Sequence, residues 1–139
     1  MPEAKMTINE MAAIFRKSFK NWDRSGVSIE RAEYREARVR MSAGEHSLRP
    51  GGTVSGPAMF ALADTALYVA VLASVGPKLL AVTTNMTINF LRKPEPGDLI
   101  AECRLIKLGK RLAIGDVFIC SEEQEEPVAH AVGTYSIPE

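Results

Sequence analysis

The spacing of apolar residues changes twice along the chain, first at helical, then at strand intervals. From Thr7 to Trp22, Met11, Ile14, Phe15 and Phe19 recur every three or four positions, and Thr7 followed by Glu10 matches a capping box. This stretch reads as an amphipathic helix whose stripe docks on the rest of the protein, and Ser25–Gly26 ends it. Val27 to Met41 is charged and strand-like, because Ala37, Val39 and Met41 alternate with Arg38 and Arg40. A loop containing Gly44, Pro50, Gly51, Gly52 and Gly56 follows, running from Ser42 to Gly56. Long loops in compact domains are often functional.

Pro57 to Val75, PAMFALADTALYVAVLASV, combines good helix formers with a proline suited to the first turn. Its apolar residues fall on every side, so the helix is either wrapped in protein or embedded in lipid. A span needs about 20 apolar residues, and an Asp at its middle costs roughly 3 kcal/mol of insertion. The expectation is therefore a buried helix and no membrane. Beyond Gly76–Pro77 the period becomes two: Val82, Thr84, Met86, Ile88 and Phe90 lie on one face, Thr83, Asn85, Thr87 and Asn89 on the other. Pro94 to Asp98 is a turn. Three further strand-like runs follow, at Leu99–Leu108, Leu112–Ser121 and Pro127–Ile137, joined through Gly109–Lys110 and the acidic Glu122–Glu126.

Short links between successive strands predict antiparallel pairing. The only element apolar enough to cover such a sheet is the helix at 57–75. The expectation is a single α+β domain over residues 1–139, with a five- to six-stranded antiparallel sheet wrapped around a central helix and residues 1–24 packed against it.

Composition narrows the function. The 139 residues carry 17 basic and 17 acidic side chains, for a formal net charge of zero. Nothing in that balance attracts nucleic acid or an anionic membrane, so an anionic ligand needs a local basic cluster. The stretch Met1 to Glu10 has no apolar signal core, which predicts a cytoplasmic location. Cys103 and Cys120 lack metal-ligand spacing. A hairpin turning near Gly109–Lys110 sets Cys103 opposite about residue 116 rather than 120, so both are read as reduced thiols, with no metal site. The acidic Glu122–Glu126 run reads as a solvated loop, His46 as a solvated loop residue, and His130 as structural or surface-exposed.

Asp64 is the one charged residue in the apolar helix. An isolated buried carboxylate costs several kcal/mol unless it is hydrogen-bonded or paired. Two readings follow. In one, Thr65 or an arginine satisfies it structurally; in the other, it is a partly desolvated base or nucleophile. The helix start at Gly56–Pro57 presents unpaired N–H groups able to hold an oxyanion. Gly56 and Asp64 are eight residues apart, roughly 12 Å along a helix, whereas a reacting carbon must touch both groups. Two antiparallel helices of a symmetric dimer satisfy that requirement, so the site is expected to be shared between subunits.

The run Arg49-Pro50-Gly51-Gly52-Thr53-Val54-Ser55-Gly56-Pro57, followed by Ala61-Leu62-Ala63-Asp64-Thr65-Ala66, resembles the hotdog-fold acyl-CoA thioesterases of the phenylacetyl-CoA (PaaI-like) type. Ala81-Val82-Thr83-Thr84, Asn89-Phe90-Leu91-Arg92, Gly109-Lys110 and Gly133-Thr134-Tyr135 fit the same pattern. The resemblance implies a hotdog fold and a homodimer or dimer-of-dimers homotetramer. It implies hydrolysis of an acyl-CoA to free acid and CoA, with CoA as part of the substrate and no separate cofactor. Asp64 takes the place of the general base or nucleophile, and Gly56 that of the N–H polarising the thioester carbonyl, from opposite subunits. Thr83 matches a hydroxyl residue that assists the carboxylate or its water. Arg92, Lys93, Lys110 and Arg111 fall where relatives hold the nucleotide phosphates.

Two departures stand out. Ser55-Gly56-Pro57 replaces the usual His-Gly-Gly, and Arg49 replaces an Asn or Gln fifteen residues before the carboxylate. Arg49 is positioned either to orient a carbonyl or water, or to pair with Asp64; His46 is a candidate stand-in for the family histidine. These departures favour an alternative reading, a non-catalytic acyl-CoA binder or sensor. A hotdog dehydratase or hydratase usually places a histidine against the helix carboxylate, and none is obvious.

Overall fold

The computed structural model describes residues 2–42, 54–122 and 124–139. Arg49, His46 and most of the loop before the long helix lie outside them. The chain runs α1 (Ile8–Ser18), a 3₁₀ turn (Trp22–Arg24), β1 (Val27–Glu33), β2 (Glu36–Met41), α2 (Gly56–Val75), β3 (Val82–Phe90), β4 (Leu99–Leu108), β5 (Leu112–Ser121) and β6 (Pro127–Ser136). One six-stranded sheet forms in the order β1-β2-β4-β5-β6-β3. Every neighbouring pair is antiparallel, and all six strands pack against α2. This is the α+β hotdog architecture, with the sheet at the upper end of the expected strand number.

The helix lies very close to the sheet because glycines make room for it. Gly115 and Gly133 are cross-strand partners on β5 and β6. A Cβ on either would sit 2.7 Å or 2.6 Å from the two terminal methyls of Leu67, which is fully buried. Leu67 is thus seated between two side-chain-free positions, and the residues around it (Leu62, Leu72, Leu105, Ile119) complete the core. At the other end of the helix, the two-residue turn Tyr34–Arg35 of the β1–β2 hairpin is tied to α2. Arg35 adopts φ +67°, its N–H donates to Ser74 Oγ at 2.7 Å, and its guanidinium donates to the Leu105 carbonyl at 3.0 and 3.2 Å.

Several sequence expectations shift in detail. The first helix ends at Ser18 rather than Trp22. Thr7 is its N-cap, in a complete capping box with Glu10, but Phe19 turns to an extended conformation and Trp22 begins a 3₁₀ turn. Both rings then fold back edge-on against Phe15. In β3 the even face does not hold throughout: Met86 and Ile88 are half-buried while Val82 and Thr84 are exposed, and Thr83 turns inward. A register break between Thr83 and Asn85 causes the switch. A second break, between Leu105 and Lys107, moves Cys103 opposite Val117, one residue from its expected partner. The Glu122–Glu126 stretch is not merely solvated: Glu122 is paired with Arg40, and Glu126 with Arg92 at 2.7 Å. Arg40 also binds Glu30 (2.5 Å) and Asp98 (3.0 Å). Hydrogen bonds from Arg40 and Arg38 hold the Glu30 carboxyl below its ordinary range.

Gly115→Ala and Gly133→Ala should each lower stability by about 1–3 kcal/mol through overpacking against Leu67, read as a lower midpoint in urea. Burial, aided by the charge of Asp116, pushes the Cys103 thiol up to about 12. An unfolded thiol ionises near 8.5, so above that pH the unfolded chain releases the proton first. Unfolding free energy should therefore fall as pH rises from about 8.5 towards 12, and Cys103→Ala should make that slope shallower in denaturant titrations at several pH values.

Candidate active site

Although α2 is apolar on all sides, it is not covered on all sides. Pro57, Phe60 and Ala61 are exposed, and Asp64, Thr65 and Tyr68 are half-buried. These positions fall at helical spacing and form one open stripe. The stripe borders a cavity of about 1410 Å³, and Asp64, Thr83 and Tyr135 lie together on its wall.

The carboxylate is held by two hydroxyls from the sheet. Thr83 Oγ1 donates to Asp64 Oδ1 at 2.5 Å, and Tyr135 Oη donates to the same oxygen at 3.1 Å. Both hydroxyls anchor the same carboxylate oxygen, Oδ1, and among the described residues no other donor reaches the carboxylate. The β3 irregularity is what turns Thr83 towards the helix, and it pairs across the sheet with Tyr135. Burial, with the adjacent Asp64 charge, keeps the Tyr135 phenol well above its ordinary range, so the ring stays a donor. Thr65 takes no part: its hydroxyl donates to the Ala61 carbonyl in its own helix at 2.9 Å. Of the partners the structural reading offered, Thr65 is engaged elsewhere and Arg49 lies outside the described residues; the hydroxyls that hold Asp64 come from β3 and β6.

Tyr135 belongs to this constellation and was not singled out as a site residue from the sequence. Its signal was the alternation of β6, where Ala131, Gly133 and Tyr135 share the inward face. A phenol on that face, in a sheet wrapped around an Asp-bearing helix, is the clue that was there to read. Behind Tyr135 the rings continue: Tyr68 stacks on it at 5.8 Å, and Phe15 of α1 stacks on Tyr68 at 5.6 Å.

The helix start has its own geometry. Ser55 is the N-cap, accepting from the Ala58 N–H at 3.2 Å. Pro57 has no N–H to offer, so Gly56 supplies the first open donor of α2; no described residue accepts from it. The Phe90 ring covers Gly56, with 3.4 Å between its edge and the place a Cβ would occupy. Arg92 and Lys93 line a cavity of about 440 Å³ beside Gly56 and Phe90. Arg92 is partly engaged there, donating to the Pro127 carbonyl at 3.0 Å and pairing with Glu126.

Within one chain the candidate residues form two groups, not one. Asp64 and Thr83 meet near the start of β3, on the cavity that Ser55 also lines, whereas Gly56, Arg92 and Lys93 gather at its end. Lys110 and Arg111 lie at the β4–β5 turn, level with Val82 through the pairing of Leu112, Ser136 and Val82; Arg111 is paired with Glu139. His130 stands apart from both groups, on the opposite sheet face, bonded to Asp116 at 2.8 Å and against Phe118. Among the described residues no three His, Cys, Asp or Glu side chains converge as a metal site.

Comparison with known proteins agrees with this architecture. A candidate thioesterase of Silicibacter sp. TM1040 superposes with a TM-score of 0.89 at 46% identity, covering 99% of this chain and 95% of that one. The PaaI protein of the E. coli phenylacetic acid degradation operon superposes with a TM-score of 0.76 at 25% identity, covering 96% and 97%. A candidate esterase of Saccharolobus solfataricus is 30% identical over 112 residues, 81% of this chain and 73% of its own. The sequence profile of the thioesterase superfamily matches residues 51–128, from before the helix start to the first residues of β6. The chain belongs to the thioesterase superfamily.

Proposed function

We propose that the protein hydrolyses acyl-CoA thioesters at a site made by two subunits, with Asp64 as the base or nucleophile. The observation that carries this reading is the hold on Asp64: Thr83 and Tyr135 both bind Oδ1 and the residue lies on the cavity wall, so Oδ2 is the oxygen this reading assigns to the chemistry. In the general-base course, Oδ2 takes a proton from water as the water oxygen bonds to the thioester carbonyl carbon. The oxyanion so formed is held by the Gly56 N–H of the partner subunit, at the positive end of its helix. Collapse of that intermediate breaks the C–S bond. The proton on Asp64 then passes to the departing thiolate, giving free acid and CoA. In the nucleophilic course Oδ2 bonds to the carbonyl carbon and the CoA thiolate leaves; water then cleaves the mixed anhydride, returning the Asp64 carboxylate, with one water proton ending on the free acid and the other on the thiolate.

Gly56 and Asp64 of one chain are too far apart to serve one carbon, which is why the reading requires two subunits. A two-fold arrangement that brings Gly56 of one subunit to Asp64 of the other carries Arg92 and Lys93 with it. These cations, with Lys110 and Arg111 of the Asp64-bearing chain, are the groups this reading assigns to the CoA phosphates, a pantetheine arm away from the thioester. The protein is accordingly read as a homodimer, alone or paired into a tetramer, acting in the cytoplasm on a soluble substrate.

One observation favours a second reading, an acyl-CoA binder without turnover. Ser55 occupies the Ala58 N–H and Pro57 has none, which leaves Gly56 as the lone early donor for an oxyanion. A dehydratase has no comparable support, since His130 is engaged with Asp116 on the far face of the sheet.

Asp64→Asn should lower kcat for acyl-CoA hydrolysis by about 10²-fold or more while leaving the circular dichroism spectrum unchanged; full retention of thiol release would remove Asp64 from the chemistry. Tyr135→Phe should reduce kcat about tenfold, the loss of one hydrogen bond to a charged group, with a smaller effect on KM. Subunit sharing can be read by complementation. Asp64→Asn and Gly56→Pro homodimers should both be nearly inactive, and mixed dimers should recover one intact site of two. A mixture as inactive as its parents would place the whole site within one chain.

A further inference from the structure

We infer that the segment from Phe15 to Trp22 is the acyl-selecting wall of the site, and that the acyl group it selects is an extended apolar one. This rests on the thioester-hydrolase reading, which puts the substrate carbonyl beside Asp64. The cavity that begins at Asp64 and Thr83 continues along α1 and the 3₁₀ turn to Phe15, Phe19 and Trp22.

Its wall is a series of touching rings that starts at the reacting centre. Tyr135 is bonded to Asp64. Tyr68 stacks on Tyr135 at 5.8 Å and 19°, and Phe15 on Tyr68 at 5.6 Å and 17°. Trp22 and Phe19 then meet Phe15 edge-on at 5.0 and 5.6 Å. An acetyl group beside Asp64 would reach none of the rings beyond the first, whereas a longer chain or an aryl group lies along the cavity and removes from water the rings still open to it, Tyr68, Trp22 and Phe19.

Burial separates the packing role from the binding role. Phe15 is 1% exposed and belongs to the core, but Phe19 is 48% exposed, and Leu79, on the same cavity, 39%. Phe19 is available because the helix ends one residue earlier and its backbone turns to the extended region. A core-only aromatic would gain by continuing the helix and burying its ring. The polar residues of the same stretch, Lys20, Asn21 and Arg24, are exposed and mark the solvent side of the wall. Only Asp64 brings a charge to the inner end, and it is committed to the carbonyl. The occupant is thus apolar at its inner end, while Lys20, Asn21 and Arg24, which line the same cavity, meet its outer end.

Trp22 is the single tryptophan of the chain, so occupancy of this wall is readable without turnover. Thiol release from acetyl-, octanoyl- and phenylacetyl-CoA gives the acyl preference of the wild-type dimer. Trp22 emission during titration of the Asp64→Asn protein with octanoyl-CoA gives binding alone. The wild type should prefer octanoyl- or phenylacetyl-CoA to acetyl-CoA by at least tenfold in kcat/KM, in line with the discrimination an apolar pocket achieves. Phe19→Ala should reduce that ratio about tenfold, through KM, and Phe19→Leu should restore part of it. Octanoyl-CoA should shift Trp22 emission saturably, and acetyl-CoA should not. Emission that responds to octanoyl-CoA in a protein that hydrolyses nothing would end the hydrolase reading and leave the acyl wall standing. Hydrolysis with a flat acyl profile, or a Phe19→Ala protein that loses self-association while keeping the wild-type acyl ratio, would overturn the wall, the latter by showing that a second copy covers Phe19.

Discussion

Leu67 sits where no other residue type on the sheet would let it sit. Its two methyls occupy the space that side chains at Gly115 and Gly133 would fill, and those glycines face each other across β5 and β6. The consequence is that the axis of α2 is held near the sheet along its middle turns, at side-chain-free contact rather than at the usual interhelical or helix–sheet spacing. Asp64 is one turn before Leu67, and its reach is short. With bulkier residues on β5 and β6 the helix would stand off, and the hydroxyls of Thr83 and Tyr135 would lose the carboxylate. The geometry of the candidate site is in this sense a property of two glycines that carry no chemistry.

Around that contact the rest of the molecule is arranged in layers of decreasing constraint. The Arg35 turn is locked to Ser74 and Leu105, so the β1–β2 hairpin and the C-terminal part of α2 behave as one unit. The outer face of the sheet carries the arginine–carboxylate network centred on Arg40, which gains modestly because exposed pairs are screened. The N-terminal helix is tied to the rest by the Lys5 N–H to the Ala73 carbonyl at 2.7 Å, by the buried Met6 and Met11, and by the rings around Phe15. Those rings lead through Tyr68 and Tyr135 to the carboxylate, so this helix is in physical contact with the site.

The open stripe of α2 is the feature that connects fold to function. A helix this apolar usually ends up wholly enclosed. Here the sheet covers most of its circumference and leaves the Pro57–Tyr68 stripe to the cavity. The unpaired edge of β3 lies beside it, with Val82 and Phe90 exposed. Within the chain the held carboxylate and the Gly56 end of the helix therefore lie at separate places. The two-subunit reading brings the two together without asking any residue of this chain to move.

Much of the architecture was written in local pattern. The period of two over 82–90, the capping box at Thr7 and Glu10, the short turns, and an all-round apolar helix bearing one Asp determine an antiparallel sheet wrapped on a helix. These are local steric and solvation effects, and local sequence encodes them. The identity of the Asp64 partners was not legible in the same way. Thr65, adjacent in sequence, bonds its own helix, because a hydroxyl in mid-helix reaches the carbonyl four residues back more readily than its neighbour's carboxylate. Thr83 faces Asp64 only because β3 breaks register beside it, and Tyr135 only because β6 lies next to β3, although β4 and β5 separate them in the chain. Sequence by itself determined the elements, the glycine-free and glycine-bearing positions, and the one carboxylate in the apolar helix. Tertiary structure alone decided which hydroxyls hold that carboxylate and which of its oxygens they bind, since both follow from register and strand order between residues up to 71 positions apart.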